Sequence, residues 1–262
     1  MDLDLTGRQA VVCGASKGIG RAAAVEIAAL GASVTLLARN EDALKEAVAK
    51  LDTSKGQQHR YIVADFMDTD DVQKKITAHV EAHGPVHILV NNTGGPPAGP
   101  ALASSVHDYA AIFTQHFMGA QVMVQAVVPG MKQDGYGRII NVLSTSVKAP
   151  IKGLGVSNTI RGAVAQWAKT LAGELGPLGI TVNNVLPGAT DTGRMKEIIE
   201  GKAKKTGTSE DDVRAGEISQ IPLGRFGKPE ETGAAIAFLA SPAAAYISGI
   251  NLPVDGGRTP GL

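Results

Sequence analysis

The sequence contains few of the residues on which several protein classes depend. Its only cysteine, Cys13, excludes an internal disulfide and a cysteine-based zinc cluster, and it suits the reducing cytoplasm. The 25 lysine and arginine residues balance 25 aspartate and glutamate residues, so no excess of positive charge points to nucleic acid or an anionic membrane. Aromatic residues make up only 4% of the chain, which does not favour stacking on bases.

Signals for secretion, membranes and metals are equally scarce. No apolar run approaches the length of a membrane span, and the first residues, MDLDLTGRQ, are acidic rather than apolar. We interpret the six histidines as scattered along the chain, and we therefore expect no metal site. The expectation is a cytoplasmic protein that binds neither nucleic acid nor membrane.

What the sequence does contain is a regular alternation of two patterns. Short apolar segments, which suit strands buried in a parallel sheet, occur at 9–13, 32–38, 60–64, 86–90, 138–143, 180–186 and 250–254. Helical patterns lie between them, near 19–30, 41–51, 69–83, 105–130, 158–175 and 229–240. The alternation predicts an α/β fold, a single Rossmann-type doubly wound parallel sheet of about seven strands with helices on both faces.

The domain organisation follows from the same alternation. Because no repeat, charge block or low-complexity linker divides the chain, we expect one domain over residues 1–262. Residues 191–220 are polar and contain no strand pattern. They follow the sixth predicted strand, where open α/β sheets place loops that cover a ligand, so we predict a substrate lid there.

A glycine-rich turn follows the first predicted strand and leads directly into the first predicted helix. Its residues are Gly14, Ser16, Lys17, Gly18, Ile19 and Gly20. Glycines here would allow a sharp turn and let backbone amides approach a pyrophosphate, while the helix N-terminus would supply partial positive charge. The alternative is a turn that binds nothing, but its place after a first strand favours a dinucleotide site.

The end of the second predicted strand indicates which dinucleotide binds. An acidic residue there would accept hydrogen bonds from a ribose 2′-hydroxyl and repel a 2′-phosphate. This chain instead has Ala38 followed by Arg39, with Ser16 and Lys17 in the glycine turn. Ordinary solvated surface charge is the alternative explanation of the two cations. The missing acid and the basic residues together favour NADP(H).

Motifs after the third, fourth and sixth predicted strands resemble those of the short-chain dehydrogenase/reductase family, which also has the glycine spacing of this turn. Their residues are Asp65, Asn91, Thr93, Gly94, Pro187, Gly188, Thr190 and Thr192. The resemblance extends over nearly the whole chain. It implies that Asp65 caps the adenine amino group and that Thr192 contacts the nicotinamide amide.

The same resemblance implies a catalytic set that this chain retains only in part. The family uses Asn, Ser, Tyr and Lys. Here Ser144 is kept, and the other three positions hold His116, Ser157 and Arg161. A serine hydroxyl is a far weaker acid than a phenol, so Ser157 is a poor proton donor. Arg161 keeps the positive charge that could hold the nicotinamide ribose, but it does not deprotonate.

His116 admits two interpretations. As an imidazole that titrates near neutrality, it could protonate the substrate oxygen together with Ser144, directly or through water. As a helix histidine satisfied by its neighbours or by solvent, it would take no part in catalysis. The second interpretation is the plainer one, and the sequence leaves both open.

Three functions are compatible with these residues. The resemblance to 3-oxoacyl-(acyl-carrier-protein) reductases implies a homotetramer that uses NADPH to reduce a small carbonyl compound. A carrier-protein substrate is doubtful, because Gly135 and Gly173 stand where the resemblance would place basic residues. The alternatives are a non-catalytic NADP-binding or regulatory protein, and a non-redox lyase or isomerase that uses the same pocket.

Overall fold

Seven strands form one sheet in the computed structural model, which describes residues 1–261. Their order across the sheet is β3-β2-β1-β4-β5-β6-β7, and every neighbouring pair is parallel. The strands are β1 (Gln9–Cys13), β2 (Ser33–Ala38), β3 (Arg60–Val63), β4 (Ile88–Asn91), β5 (Gly137–Val142), β6 (Ile180–Pro187) and β7 (Asn251–Val254). The strand order reverses between β1 and β4, which is where doubly wound sheets bind ligands. The predicted fold class is confirmed.

Nine α-helices connect the strands of the described chain. They are α1 (Gly18–Ala29), α2 (Glu41–Val48), α3 (Thr69–His83), α4 (Val106–Phe113), α5 (Gly119–Asp134), α6 (Gly155–Leu175), α7 (Gly193–Thr206), α8 (Glu210–Ile218) and α9 (Pro229–Ala240). Local side chains fix several of their starts. The Asn40 side chain accepts a hydrogen bond from the Ala43 amide, and Ser105 forms a capping box with Asp108. None of the described helices is both long and apolar enough to span a membrane.

The predicted helix near 105–130 differs from the observed one in two ways. A π-helical segment, Thr114–Met118, separates α4 from α5. The helix also continues through Pro129 and ends at Asp134, four residues beyond the predicted end. A proline indicates a helix end only weakly when packing on both sides holds the helix together. The predicted lid region contains two helices, α7 and α8, which the strand-centred sequence analysis did not identify.

Apolar layers cover both faces of the sheet, which explains why its strands lack an alternating polar pattern. Successive residues of β1 point to opposite layers: Val12 belongs to the layer under α1, α2 and α9, and Val11 to the layer under α3, α5 and α6. Both side chains are fully buried. A strand buried on both faces needs apolar residues on both, which removes the alternation of apolar and polar residues.

A ladder of four asparagines crosses the half of the sheet that carries the predicted site. Asn91, Asn141, Asn184 and Asn251 stand at paired positions of β4, β5, β6 and β7. Each side-chain amide donates to the next, with N···O distances of 2.9, 2.9 and 2.8 Å. Buried amides destabilise a protein unless they are hydrogen-bonded, so the ladder holds the four strand ends in one register.

The asparagine ladder predicts a graded loss of stability. Asn141→Leu leaves unpaired both the donor on Asn91 and the acceptor on Asn184, and should lower the free energy of unfolding by about 2–5 kcal/mol. Asn251→Leu breaks only the last link and should cost about 1–3 kcal/mol. Urea denaturation of both variants measures the two losses. Equal losses would show that the inner asparagine does not depend on its two neighbours.

Candidate cofactor and active site

One large cavity, of about 670 Å³, lies beyond the carboxyl ends of the strands. Of the residues singled out from the sequence, those that line it are Gly14, Ser16, Lys17, Gly18, Ile19, Arg39, Asp65, Thr93, Gly94, Ser144, Ser157, Arg161, Pro187, Gly188, Thr190 and Thr192. Three others do not line it. Gly20 supports the turn, while Asn91 and His116 border a separate small cavity of about 10 Å³. The structure thus brings residues from six strand ends to one cleft.

The glycine turn is shaped by a close approach between the ends of β1 and β4. Gly14 and Gly18 adopt φ angles of +58° and +59°, which disfavour any other residue. A Cβ on Gly14 would lie 2.6 Å from the Asn92 carbonyl oxygen, and one on Gly20 would lie 2.4 Å from the Gly14 oxygen. The turn therefore leaves room for a ligand to meet its backbone and the N-terminus of α1.

Asn92 is a residue that the sequence analysis missed. Its side-chain amide donates to the carbonyl oxygens of Cys13 and Gly14, at 3.2 and 3.3 Å, and so ties the β4 end to the glycine turn. The signal available in the sequence was the doublet Asn91-Asn92. Neighbouring residues in a strand point to opposite faces, so one asparagine joins the ladder and the other supports the turn.

Positive charge gathers at one end of the cavity. Arg39 is exposed at the end of β2, and its Nη1 lies 3.7 Å from Oδ2 of Asp65. Lys17 and Ser16 line the same cavity. Asp65 is its only acidic lining residue in the described chain, and its other oxygen accepts a hydrogen bond from the Met67 amide. An anionic group such as a 2′-phosphate would meet cations and a hydroxyl here.

These features fit a dinucleotide. The glycine turn offers backbone approach that a Cβ would block, and the N-terminus of α1 opens into the cavity beside it. Thr192, whose side chain lies beside Gly18 and borders the cavity, caps α7 by accepting a hydrogen bond from the Met195 amide. The residues present therefore suit a bound phosphate-bearing cofactor.

Arg161, from α6, is a buried cation without an acidic partner. Its Nη1 donates to the carbonyl oxygens of Leu143 at 2.7 Å and Val142 at 3.2 Å, and its Nε donates to Ser157 Oγ at 3.2 Å. None of the ion pairs in the described chain includes it. Burial lowers its pKa to about 10, so the guanidinium stays charged at neutral pH.

The two serines of the predicted catalytic set both act as acceptors. Ser144 Oγ accepts from the Ser146 amide at 3.1 Å, and Ser157 Oγ accepts from Arg161. Neither hydroxyl donates a hydrogen bond to another described residue, and both side chains line the cavity. Their protons are therefore available to a ligand.

His116 lies in the π-helical segment and is buried. Its Nε2 is 3.0 Å from the Gly94 carbonyl oxygen, and its Nδ1 is 3.0 Å from Thr93 Oγ1. We assign the tautomer in which Nε2–H donates to Gly94 and Nδ1 accepts from the Thr93 hydroxyl. Burial and the charge of Arg161 lower the His116 pKa to about 3. The lowered pKa and the two hydrogen bonds favour the satisfied histidine over the proton donor.

The histidines are less scattered than the sequence analysis assumed. His79 and His83 stand four residues apart on α3, with ring centroids 4.9 Å apart. His79 Nε2 lies 3.3 Å from the hydroxyl oxygen of Thr35, inside the fold. Among residues 1–261, no group of three or more histidine, cysteine, aspartate or glutamate side chains is arranged to hold a metal ion.

The predicted lid begins beside the cavity. Arg194, at the start of α7, donates from Nη2 to the Pro96 carbonyl oxygen at 2.8 Å and lies 3.2 Å from Glu197. This contact joins α7 to the loop after β4. Met195 and Ile198 present apolar side chains to the cavity, so the segment could cover a substrate.

The lowered pKa of His116 predicts acid sensitivity. Between about pH 6.5 and pH 3, the unfolded chain binds a proton that the folded His116 does not. The free energy of unfolding should therefore fall on acidification, by up to about 1.4 kcal/mol per pH unit from this group. Urea denaturation at about pH 7.5 and about pH 5.5 measures the difference.

His116→Asn should remove about 1 kcal/mol of that pH-dependent difference, because Asn does not titrate. The matched control is His107→Asn, at an exposed position near the start of α4. His79, whose pKa is lowered to about 4 chiefly by burial, contributes equally to all three proteins. An unchanged pH dependence in His116→Asn would show that folding does not lower the pKa of His116.

Known proteins resemble this chain over nearly all its length. The sequence profile described as enoyl-(acyl carrier protein) reductase matches residues 14–259. The short-chain reductase protein NovJ of Streptomyces niveus is 34% identical over 95% of this chain and 93% of its own. The 3-oxoacyl-(acyl-carrier-protein) reductase of Vibrio harveyi is 32% identical over 97% and 98%.

A solved structure also resembles this chain over its whole length. The L-sorbose reductase of Gluconobacter frateurii, complexed with NADPH and L-sorbose, superimposes with a TM-score of 0.93 at 29% identity, covering 100% of both chains. The matching profile, the full-length relatives and the shared strand order all agree with the resemblance found in the glycine turn and the motifs after the strands. The chain belongs to the short-chain dehydrogenase/reductase family.

Proposed function

We propose that this protein is an NADPH-dependent reductase of a small carbonyl compound. It is an oxidoreductase of its family, and its cofactor is NADP(H). The observation that carries the proposal is the position of Arg39 directly after β2, in a cavity that Lys17 and the glycine turn also line and whose only acidic lining residue in the described chain is Asp65. Relatives described as NADPH-dependent, among them the BacG reductase of Bacillus subtilis and the L-sorbose reductase, support it.

Each part of the cofactor has residues suited to hold it. The glycine turn and the α1 N-terminus suit the pyrophosphate, and Ser16, Lys17 and Arg39 suit the 2′-phosphate. Arg161 and Thr192 also line the cavity, and the resemblance to the family assigns them the nicotinamide ribose and amide. When bound, NADPH supplies the hydride for reduction.

Ser144 is suited to bind the substrate oxygen. Its hydroxyl faces the cavity with its proton uncommitted, so it can polarise a carbonyl oxygen by donating a hydrogen bond. A small substrate is favoured over a carrier protein, because the basic residues expected for carrier docking are replaced by Gly135 and Gly173. Residues 191–220 would cover that substrate as a lid.

The proposed protein is a homo-oligomer and acts in the cytoplasm. Apolar side chains stay exposed along α4 and the π-helical segment, with 83% of Val106, 37% of Phe113 and 42% of Met118 accessible. Exposed apolar residues grouped along one helix are typical of an interface between subunits. The tetrameric state comes from the family resemblance alone.

A non-catalytic NADP-binding protein is the second candidate. The observation that favours it is the absence of an acid: at the substrate end, Ser157 replaces the family's tyrosine, and His116 has a pKa of about 3. Binding experiments measure cofactor recognition separately from turnover.

Arg39→Ala should weaken NADPH binding by about 10- to 100-fold, because a charge-assisted contact to the 2′-phosphate is lost. Binding of NADH, which lacks that phosphate, should change by less than about twofold. Titrations followed by nucleotide fluorescence give both affinities. The control Lys50→Ala removes an exposed charge on the C-terminal side of α2 and should leave both unchanged. A parallel loss of NADH affinity would contradict the assignment of Arg39.

The double variant Ser157→Tyr with Arg161→Lys restores the family's proton donor and its partner. We expect its turnover of a saturated ketone to exceed that of the unmodified protein by about 10²- to 10⁴-fold, the usual effect of a positioned acid. NADPH oxidation followed by absorbance measures the rates. If the unmodified protein turns over no carbonyl compound and only the double variant does, the non-catalytic candidate is favoured.

A further inference from the structure

We propose that Ser144, Ser157 and Arg161 form an oxyanion site, which binds the substrate's carbonyl oxygen as a negatively charged atom and does not protonate it. The site therefore selects conjugated carbonyl compounds, whose oxygen becomes an enolate when the β-carbon is reduced. This inference rests on the proposed function, since it requires bound NADPH. It names the substrate class and the reason for the altered catalytic residues.

The first argument is the direction of the hydrogen bonds. Each serine oxygen accepts from an N–H group and donates to no described residue, so each keeps its proton free to donate to a ligand. Arg161 has no acceptor atom at all. Its Nε and Nη1 are used within the protein, whereas a Cβ built on Gly95, at the cavity wall, would lie 3.8 Å from Nη2. The three side chains thus offer a free donor each, as an oxyanion requires.

The second argument is the unpaired positive charge of Arg161. Arg161 is 8% exposed and receives no carboxylate in the described chain. Its neighbours supply only carbonyl oxygens, a hydroxyl and an uncharged imidazole: Val142 and Leu143 accept from it, Ser157 lies one turn before it, and His116 stays neutral. A buried charge without a partner is destabilising, and an anion bound in the cavity would remove that cost.

The third argument is that no side chain in this group can supply a proton. A serine hydroxyl is too weak an acid, Arg161 keeps its protons at neutral pH, and His116 uses its single N–H on the Gly94 carbonyl oxygen. Hydride addition to a saturated ketone would form an alkoxide, a strong base whose formation is unfavourable unless an acid in the site protonates it at the same time. An enolate is a much weaker base, because its charge is delocalised.

The reaction then balances with water as the proton source. The substrate gains a hydride from the reduced nicotinamide at its β-carbon, where a C–H bond forms, and the C=C π pair moves to the bond beside the carbonyl. The carbonyl π pair moves to oxygen, which the oxyanion site holds. Water delivers a proton to the α-carbon and leaves hydroxide. The conjugated carbonyl compound is reduced to a saturated one, and the dihydronicotinamide is oxidised.

A phenolate tests this site at equilibrium, without turnover. 4-Nitrophenol is yellow only as its anion, and it resembles an enolate in its planar, conjugated oxygen. We would titrate it into protein saturated with NADP⁺, at a pH about one unit below the phenol's own pKa, where roughly nine-tenths of the free phenol is protonated. The expected result is bound phenolate, with the pKa of the bound phenol lowered by at least about one unit, a tenfold preference.

Variants show which side chains cause the preference for the phenolate. Arg161→Met should abolish it, and Ser157→Ala should reduce it by about three- to tenfold. Lys152→Met, which removes an exposed positive charge shortly before α6, is the matched control and should keep it. Circular dichroism checks that each variant folds. If Arg161→Met does not fold, Ser157→Ala combined with Ser144→Ala decides instead, since neither change removes a buried charge.

The outcomes are distinct. Three results would overturn the oxyanion site: binding of the neutral phenol, no phenol binding at saturating NADP⁺, or a preference for the phenolate that survives the loss of the named donors. None of these results contradicts the proposed NADPH-dependent reductase. Failure of NADPH itself to bind overturns both. A second readout is the product of cyclohex-2-enone with NADPH in D₂O. Deuterium at the α-carbon of cyclohexanone supports the proposal, and cyclohex-2-enol as the product overturns it.

Discussion

The ends of β1 and β4 approach each other so closely that no side-chain carbon fits between them. Gly14 and Gly20 provide that space, and Asn92 joins the two strand ends by donating to the adjacent carbonyl oxygens of Cys13 and Gly14. The α1 N-terminus can face the cavity only because this turn is tight. Cofactor recognition, the position of the Asn91 to Gly94 segment and the shape of the cleft all depend on this contact.

A second constraint operates at the other end of the cleft. The buried charge of Arg161 is held by two carbonyl oxygens at the end of β5, and the asparagine ladder keeps that strand in register with its neighbours. The same charge and the same burial keep His116 neutral. From these contacts we infer that Ser157 and Arg161, at the positions of the family's tyrosine and lysine, stabilise negative charge in place of transferring a proton.

Most of the fold and much of the cofactor site could be predicted from particular residues. Apolar strands without alternation predicted a sheet covered on both faces, and Val11 and Val12 confirm it. Gly14 and Gly18 predicted a turn with positive φ angles. Helix ends were harder, because α5 continues past Pro129 where packing outweighs local preference. The role of Asn92 could not be predicted, because it depends on a contact between strands far apart in sequence.

The sequence by itself determined the strand pattern, the glycine turn, the basic end of the cleft and the loss of the family's tyrosine and lysine. These features depend on which residue stands at which position, so they are visible without coordinates. Only the tertiary structure decided what the replacements do. Hydrogen-bond direction, burial and the distance between charges arise when β4, β5 and α6 meet, and these quantities make His116 neutral and leave Arg161 without a counter-charge.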